Sequence, residues 1–439
     1  MEEQELRDFV TGQRWFGSKS RTVSTATIVD RATLRDTDPA LELLIVEIRF
    51  DTGTHETYQL LTDDSYDALS DPRHIRELVH MMRGGSRIPA GDGVVEFNPA
   101  EGLGGAGQEL REARQVTAEQ SNTSVVFDDE LILKVFRRLE PGINPELELL
   151  RFLTERGFAN IARLAGWYAY AGKQMDATLG ILQEYVAAGV DGWDRSLDTM
   201  ADEAASEAFL DTVRRLGEVT GRMHTVLGSD SADPAFCPEE TSSESLGLLT
   251  ATVDEEIESI FLDLPDDVPE LDPIRGRGEE VRERLRLLTN FGGTGRVIRH
   301  HGDFHLGQTL WSDGDWVILD FEGEPARPLT ERRRKRSPLR DVAGMLRSFA
   351  YAASAASILR GVEAPPDWEA RAREQFLEGY RDTIDMSLVP SGAAMEKLLT
   401  VFELEKAVYE LRYELNNRPD WVGIPVAGIM RMLEQEAPV

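Results

Sequence analysis

His301-Gly302-Asp303-Phe304-His305-Leu306-Gly307-Gln308 is followed by the apolar run Trp316-Val317-Ile318-Leu319 and then by Asp320-Phe321-Glu322-Gly323. A carboxylate stands on a glycine turn, an amide follows five residues later, and a second carboxylate closes a strand that reads as buried. Phosphoryl transfer has a use for each: one carboxylate orients the attacking hydroxyl, and an amide with a second carboxylate holds Mg²⁺ on the phosphates. The order His-x-Asp, amide, Asp-Phe-x-Gly is that of such a site, with three departures. Gly302 stands where an arginine is usual, Gln308 where an asparagine is usual, and Asp320 is one residue further from its glycine.

A phosphate-handling strand is legible upstream. Leu131-Ile132-Leu133-Lys134-Val135-Phe136 places one lysine in an apolar run. A buried ammonium needs an anionic partner, because desolvating an unpaired charge costs several kcal/mol. Asn144-Pro145 opens a helix over 146–156, and Glu148, with Glu146 second, is the candidate partner. Ser121-Asn122-Thr123-Ser124 reads as a polar loop able to cover phosphates with hydroxyls and N–H groups. The strand over 179–186 ends at Gln183, Glu184, Tyr185 and Val186, the expected hinge whose backbone meets adenine. The glycine-rich 102–107 segment lacks Gly-Lys-Ser/Thr and reads as a hairpin loop instead.

The chain has 439 residues, 41% hydrophobic, which is enough for more than one core. No apolar run reaches membrane-spanning length and the start lacks a signal peptide, so a cytoplasmic protein is expected. Asp and Glu outnumber Lys and Arg 79 to 48, for a net charge of −31, which repels nucleic acid and anionic lipid. Salt adaptation and a GC-rich genome both fit the acidity and the excess of Arg over Lys. The single cysteine, Cys237, excludes an internal disulfide and a cysteine metal cage.

Segments at 22–34, 41–50 and 54–62 alternate or run apolar and predict an antiparallel sheet, followed by an amphipathic helix over 71–83. Trp15-Phe16-Gly17-Ser18-Lys19 reads as a packing anchor and the basic run 331–336 as a solvated loop. After residue 186 the pattern is mainly helical. Near the end, Lys406, Tyr409, Glu410, Tyr413 and Asn417 share one helix face, and Trp421 follows it. Rings that stack on pyranose faces, mixed with charges that bind hydroxyls, suit a sugar. The carboxylates Glu405, Glu410, Glu414 and Asp420 leave an aminoglycoside-like amine open as an acceptor.

These motifs resemble the bacterial maltokinase family over nearly the full length. The resemblance rests on Trp15–Lys19, Glu119–Ser124, Leu133–Phe136, Asn144–Glu148, the 301–308 stretch, Leu319–Pro325 and the tail 405–421. The 301–308 part also resembles aminoglycoside phosphotransferases and other small-molecule kinases, and related glucosamine kinases share much of the N-terminal half. The resemblance implies an α+β, two-lobed, eukaryotic-protein-kinase-like fold: a cap subdomain at 1–90, a nucleotide-binding lobe at 91–186, and a mostly helical lobe at 187–439. It implies ATP and Mg²⁺ as cofactors and phosphorylation of maltose at its anomeric hydroxyl, for α-glucan (glycogen) synthesis from trehalose. Asp303 is then the base, Gln308 and Asp320 the metal ligands with Glu322 added, and Lys134 the phosphate lysine. His305, Lys406, Tyr409, Glu410, Tyr413, Asn417 and Trp421 hold the sugar, and a trehalose-processing enzyme is the implied partner. Another acceptor, such as glucosamine, and a catalytically silent binding fold are the alternatives.

Overall fold

The computed structural model describes residues 3–38, 40–63, 67–101, 110–116, 122–241, 243–288 and 295–434. The chain forms two compact units, residues 1–188 with 327–329, and residues 189–326 with 330–439.

In the first unit, helix α1 (Glu3–Thr11) precedes strands β1 (Val23–Arg35), β2 (Leu41–Phe50) and β3 (His55–Thr62). β2 is buried at almost every position, so it reads as an apolar run rather than an alternating one. Helix α2 (Pro72–Gly84) starts where the Asp71 carboxylate accepts the Arg73 N–H at 2.8 Å and Pro72 presets the first turn. It ends at Gly85 with φ 62°, a left-handed conformation that glycine adopts without strain. Strands β4 (Arg87–Pro89), β5 (Gly93–Pro99), β6 (Ala113–Val116), β7 (Thr123–Phe127) and β8 (Leu131–Val135) follow. After them come β9 (Arg138–Leu139), helix α3 (Pro145–Glu155), β10 (Leu164–Gly172) and β11 (Asp176–Glu184). The sheets run β1-β2-β3-β9 and β4-β5-β10-β11-β8-β7-β6. One core serves both: Leu43, Ile45, Leu78 and Phe97 belong to the same buried cluster as Val125, Leu133 and Leu182. The expected cap and nucleotide segments therefore share their apolar interior.

Trp15 and Phe16 each lie 5.6 Å from the Tyr58 ring, and Ser18 donates to Glu56 at 2.9 Å, so this motif packs and ties the cap internally. The 102–107 segment lies outside the described residues.

The second unit opens with β12 (Val190–Asp191), α4 (Gly192–Thr199) and the long α5 (Glu203–Leu227). β13 (Glu239–Glu240) pairs with β14 (Arg296–Val297), and α6 (Ser243–Leu262) and α7 (Gly278–Leu288) lie between them in sequence. The hairpin β15 (Thr309–Ser312) and β16 (Asp315–Ile318) follows, then the one-turn α8 (Leu329–Arg332). The chain closes with α9 (Leu339–Ala355), α10 (Trp368–Thr383), α11 (Ala393–Asn417) and α12 (Gly423–Glu434). Helices α5 and α10 cross with their backbones touching: a Cβ on Gly217 would overlap the Phe376 carbonyl, and one on Gly379 the Arg214 carbonyl. Val253, Ile257, Val281, Leu285, Leu404, Val408, Leu411 and Ile429 fill the core between α6, α7, α11 and α12.

The 331–336 run is not the solvated loop that its charge suggests. Lys335 Nζ donates to the Pro234 and Cys237 carbonyls at 2.7 Å each, and Arg332 to the Glu322 carbonyl at 3.0 Å. Backbone carbonyls within the same unit supply the partners that composition could not reveal. Among the described residues, Leu339–Arg360 is long and apolar enough to cross a membrane; 61% of its apolar window is buried within the protein.

Candidate active site

The 301–308 loop hangs from one buried carboxylate. Asp341, near the start of α9, accepts the His301 N–H at 2.7 Å and the Gly302 N–H at 2.9 Å. His224 Nε2 lies 3.0 Å from the same carboxylate, and its Nδ1 3.1 Å from the Tyr380 hydroxyl, so the α5–α10 crossing braces the loop. Burial alone would disfavour charge on Asp341, but His300 and His224 hold its carboxyl well below the usual carboxylate range. His301 Nε2 reaches the Leu319 carbonyl at 2.8 Å, linking this loop to the strand that ends at Asp320. Gly302 has φ 89°, which only glycine adopts freely, and that turn lifts Asp303 out of the packed layer.

Gln308 and Asp320 meet. The Leu319 N–H donates to the Gln308 carbonyl at 2.9 Å, and the Gln308 side-chain amide lies 3.3 Å from Asp320 Oδ2. Asp320 sits at φ 57°, a conformation rare outside glycine, with Phe321 fully buried behind it. Such strain is held only where surrounding packing fixes it, and here it aims a carboxylate beside an amide. Both offer hard oxygen donors of the kind Mg²⁺ takes, since the amide oxygen and nitrogen exchange by rotation about one bond. Glu322, half-buried, follows on the same turn.

A cavity of about 410 Å³ opens beside Asp303 within the second unit. Its walls include His305, Lys406, Tyr409, Glu410, Tyr413 and Trp421, as the sequence suggested. Lys406 Nζ lies 3.7 Å from Asp303 and 3.5 Å from Glu324. Burial works against the charge on Lys406, yet these carboxylates raise its pKa. His305 is pushed the other way, down and toward the neutral form, by burial.

Sequence reasoning missed Trp193, Ser348, Tyr351 and Arg418 as wall residues, and named Glu414 only as an acceptor-site carboxylate. Tyr351 stacks on Trp421 with ring centroids 6.4 Å apart, and Arg418 lies 4.6 Å over the Trp421 ring. The spacing of Glu414 and Arg418, four residues apart, was the available signal for that pair. Asn417 is a correction: its amide donates to the Tyr413 carbonyl at 2.8 Å and it is exposed outside the cavity walls. It finishes the helix, because the last turn leaves carbonyls without intrahelical donors.

The carboxylates of α11 are clamped. Glu410 takes Arg347 Nε at 3.0 Å and Nη2 at 2.7 Å. Glu414 takes Arg418 at 2.6 Å and 2.9 Å together with the Tyr351 hydroxyl at 3.2 Å. Glu405 pairs with Arg340 at 3.0 Å.

In the first unit Lys134 is buried and its ammonium lies 2.9 Å from Glu146 Oε2. Glu146, ranked second from sequence, is thus a bonded partner of Lys134. It occupies the first turn after the Asn144 cap and Pro145, and helical side chains lean back toward the N-terminus. Ser121 lies outside the described residues, and Asn122 is half-buried just ahead of β7. Thr123 and Ser124 are buried strand residues, a correction to the expected loop. Pairing to β8 sets Ser124 opposite Lys134, and the Thr123 hydroxyl accepts from Arg137 at 2.8 Å. At the hinge, the Glu184 and Tyr185 N–H groups are committed to the Arg163 and Glu130 carbonyls at 2.9 Å and 2.8 Å. Neither is left to meet adenine, while Gln183 and Val186 stand half-buried to either side.

Known proteins match this arrangement. Residues 9–85 match the maltokinase N-terminal cap domain. A glucosamine kinase of Mycolicibacterium smegmatis is 28% identical over 376 residues, covering 80% of this chain and 90% of that protein. A glucosamine kinase of Streptacidiphilus jiangxiensis is 26% identical over 334 residues, covering 73% of this chain and 74% of that one. The structure of a glucosamine kinase in complex with glucosamine, ADP and inorganic phosphate superposes with a TM-score of 0.74 at 21% identity, over 97% of this chain and 98% of the other. This shared fold is the expected α+β, protein-kinase-like one with a helical C-terminal region. A loop that raises Asp303 from a glycine turn, and an amide set against a strained aspartate, both fall within residues 112–373. That span matches the phosphotransferase enzyme family, to which this chain belongs.

Proposed function

We propose that the protein is an ATP-dependent sugar kinase whose acceptor is maltose, phosphorylated at its anomeric hydroxyl to give maltose 1-phosphate. The observation that carries this reading is the cavity beside Asp303: aromatic rings line it, and its carboxylates are matched by cations. Asp303, Glu410 and Glu414 are met by Lys406, Arg347 and Arg418, so the wall offers hydrogen bonds without surplus negative charge. That suits a neutral, ring-shaped, polyhydroxylated acceptor, with Trp193, Tyr409, Tyr413 and Trp421 as stacking faces. About 410 Å³ lies within the range of small-molecule sites.

In this reading Asp303 takes the proton of the attacking hydroxyl as its oxygen bonds to the γ-phosphorus. The bond from that phosphorus to the β-phosphate oxygen breaks, and ADP leaves. Lys406, held charged between Asp303 and Glu324, offsets the negative charge brought by the phosphoryl group. Gln308 and Asp320, with Glu322 next to them, would hold Mg²⁺, which when bound neutralises the phosphate oxygens. Lys134, steadied by Glu146, is assigned to the nucleotide phosphates. The resemblance of the tail to maltokinases, with the cap-domain match at residues 9–85, supports a place in α-glucan synthesis from trehalose, with a trehalose-processing enzyme as partner.

Glucosamine is the second reading, favoured by the names of the two relatives above. Steady-state kcat/KM for maltose, glucose and glucosamine separates the readings, and phosphorus NMR reports which hydroxyl carries the product phosphate. Maltose is expected to lead and to give an anomeric phosphate. A higher kcat/KM for glucosamine would falsify the maltose assignment and leave the kinase assignment standing.

A further inference from the structure

We infer that Arg347 is a specificity-determining residue: held in a notch at Gly428, it cancels the charge of Glu410 and so closes the acceptor cavity to amines. The inference rests on the placement of the acceptor cavity proposed above.

Arg347 stands on α9 in an otherwise apolar stretch and is 2% exposed. Its guanidinium spends Nε and Nη2 on one oxygen, Glu410 Oε2. Glu410 is a buried charge of the acceptor wall: it lines the cavity and is itself 8% exposed. A carboxylate at such depth without a partner would be the natural seat for an ammonium, because opposite charges in a low-dielectric site attract strongly. With Arg347 behind it, that attraction is already satisfied, and an arriving ammonium loses its hydration for little return. A neutral hydroxyl has no such penalty and still finds an acceptor oxygen.

The pair is possible only because of a residue on a different helix. Arg347 Nη1 runs against the backbone of α12 at Gly428, where any Cβ would overlap it. No side chain can stand there without moving the guanidinium. Gly428 does not line the acceptor cavity. It acts through Arg347, and Arg347 acts through Glu410, so both are positioning residues.

Three variants test the chain: Arg347→Met, Gly428→Ala and the double variant Arg347→Met/Glu410→Gln. The quantity read is the ratio of kcat/KM for glucosamine to kcat/KM for glucose, a pair that differs by one amine, with the KM for ATP alongside. Arg347→Met should raise the ratio by roughly ten- to a hundredfold, the worth of one hydrogen bond to a charged group. Gly428→Ala should raise it less, since it displaces the arginine without removing it. The double variant removes both buried charges, which proteins tolerate better than an orphaned one, and should return the ratio to near the wild-type value. It therefore supplies the answer even if Arg347→Met folds poorly. A general structural role would lower both acceptors together and leave the ratio unmoved. A ratio within twofold of wild type in Gly428→Ala and in any folded Arg347→Met overturns the inference. So does a double variant whose ratio rises as far as that of the single variants. A wild type that prefers glucose to maltose but still discriminates against glucosamine sinks the maltose reading alone; one that prefers glucosamine to glucose overturns this inference as well.

Discussion

The 301–308 loop and the acceptor wall share Asp303 as a neighbour but are held by different bonds. The loop is fixed through its main chain: two consecutive N–H groups end on Asp341, and the Leu319 N–H ends on the Gln308 carbonyl. The His301 ring adds a brace on the Leu319 carbonyl, and the Asp303 side chain is left to do chemistry. The wall is fixed through its side chains, with Glu410 and Glu414 each held by an arginine. A loop fixed through its backbone tolerates no change of geometry, while a wall of paired side chains can be rewritten one pair at a time. Reaction and acceptor choice are thereby separable in this molecule, and substitutions in the two regions should fail in different ways.

The sharpest break is Asp303→Asn. It should lower kcat by at least about a hundredfold for every acceptor, the usual result of losing a general base, with the KM for ATP nearly unchanged. Turnover within a few-fold of wild type would remove Asp303 from the role. Next in size, Asp320→Ala should raise the Mg²⁺ concentration needed for half-maximal rate more than Gln308→Ala does, because it removes formal charge as well as a donor. Titrations that match wild type in both variants would place the metal elsewhere.

His300, the residue just ahead of the loop, carries a pH signature. Burial pushes the pKa of His300 down to about 4 from its ordinary value of 6.5. Its folded form therefore refuses a proton that the unfolded chain accepts. The stability this confers is complete above about pH 6.5 and falls away as pH drops toward 4, by about 3 kcal/mol in all. His300→Gln should flatten the pH dependence of urea-unfolding stability across that window relative to wild type. A parallel pair of curves would show that His300 does not titrate in this way.

The catalytic loop was legible because its chemistry lies in one contiguous stretch, and residue types at fixed offsets are what a sequence displays. Glu410 was legible as a wall residue but its partner was not, since Arg347 lies on another helix 63 residues away. The available signal, a lone arginine between Leu346 and Ser348 in an apolar helix, was passed over, and it would not have said which carboxylate was the partner. Strand pairing took Thr123 and Ser124 out of the expected loop, and ladder and turn bonds took the Glu184 and Tyr185 amides. In both places main-chain pairing, which residue types do not display, overrode a reading based on polarity. Asn417 failed differently. Helical periodicity put it on the sugar face, but the final turn of a helix needs donors for its own carbonyls, and that local demand claimed the amide.

Asn417 therefore lies off the acceptor wall, and it gives the smallest expected effect. Tyr413 and Trp421 line the cavity and Asn417 does not, though all three lie within nine residues. Tyr413→Ala and Trp421→Ala should each lower kcat/KM for maltose by roughly tenfold while sparing glucose, because a stacked ring is worth about 1 kcal/mol or more and the second sugar ring loses its platform. Asn417→Ala removes one exposed hydrogen bond, so kcat/KM for maltose should stay within about twofold and stability within about 0.5 kcal/mol. The comparison needs all three variants, each assayed with maltose and with glucose. If Asn417→Ala costs as much as Trp421→Ala, and costs it for maltose alone, the acceptor site extends past the cavity and over the end of α11. Equal losses for both sugars in Trp421→Ala would mean instead that its ring supports the wall, through Arg418 and Tyr351, rather than meeting a second sugar.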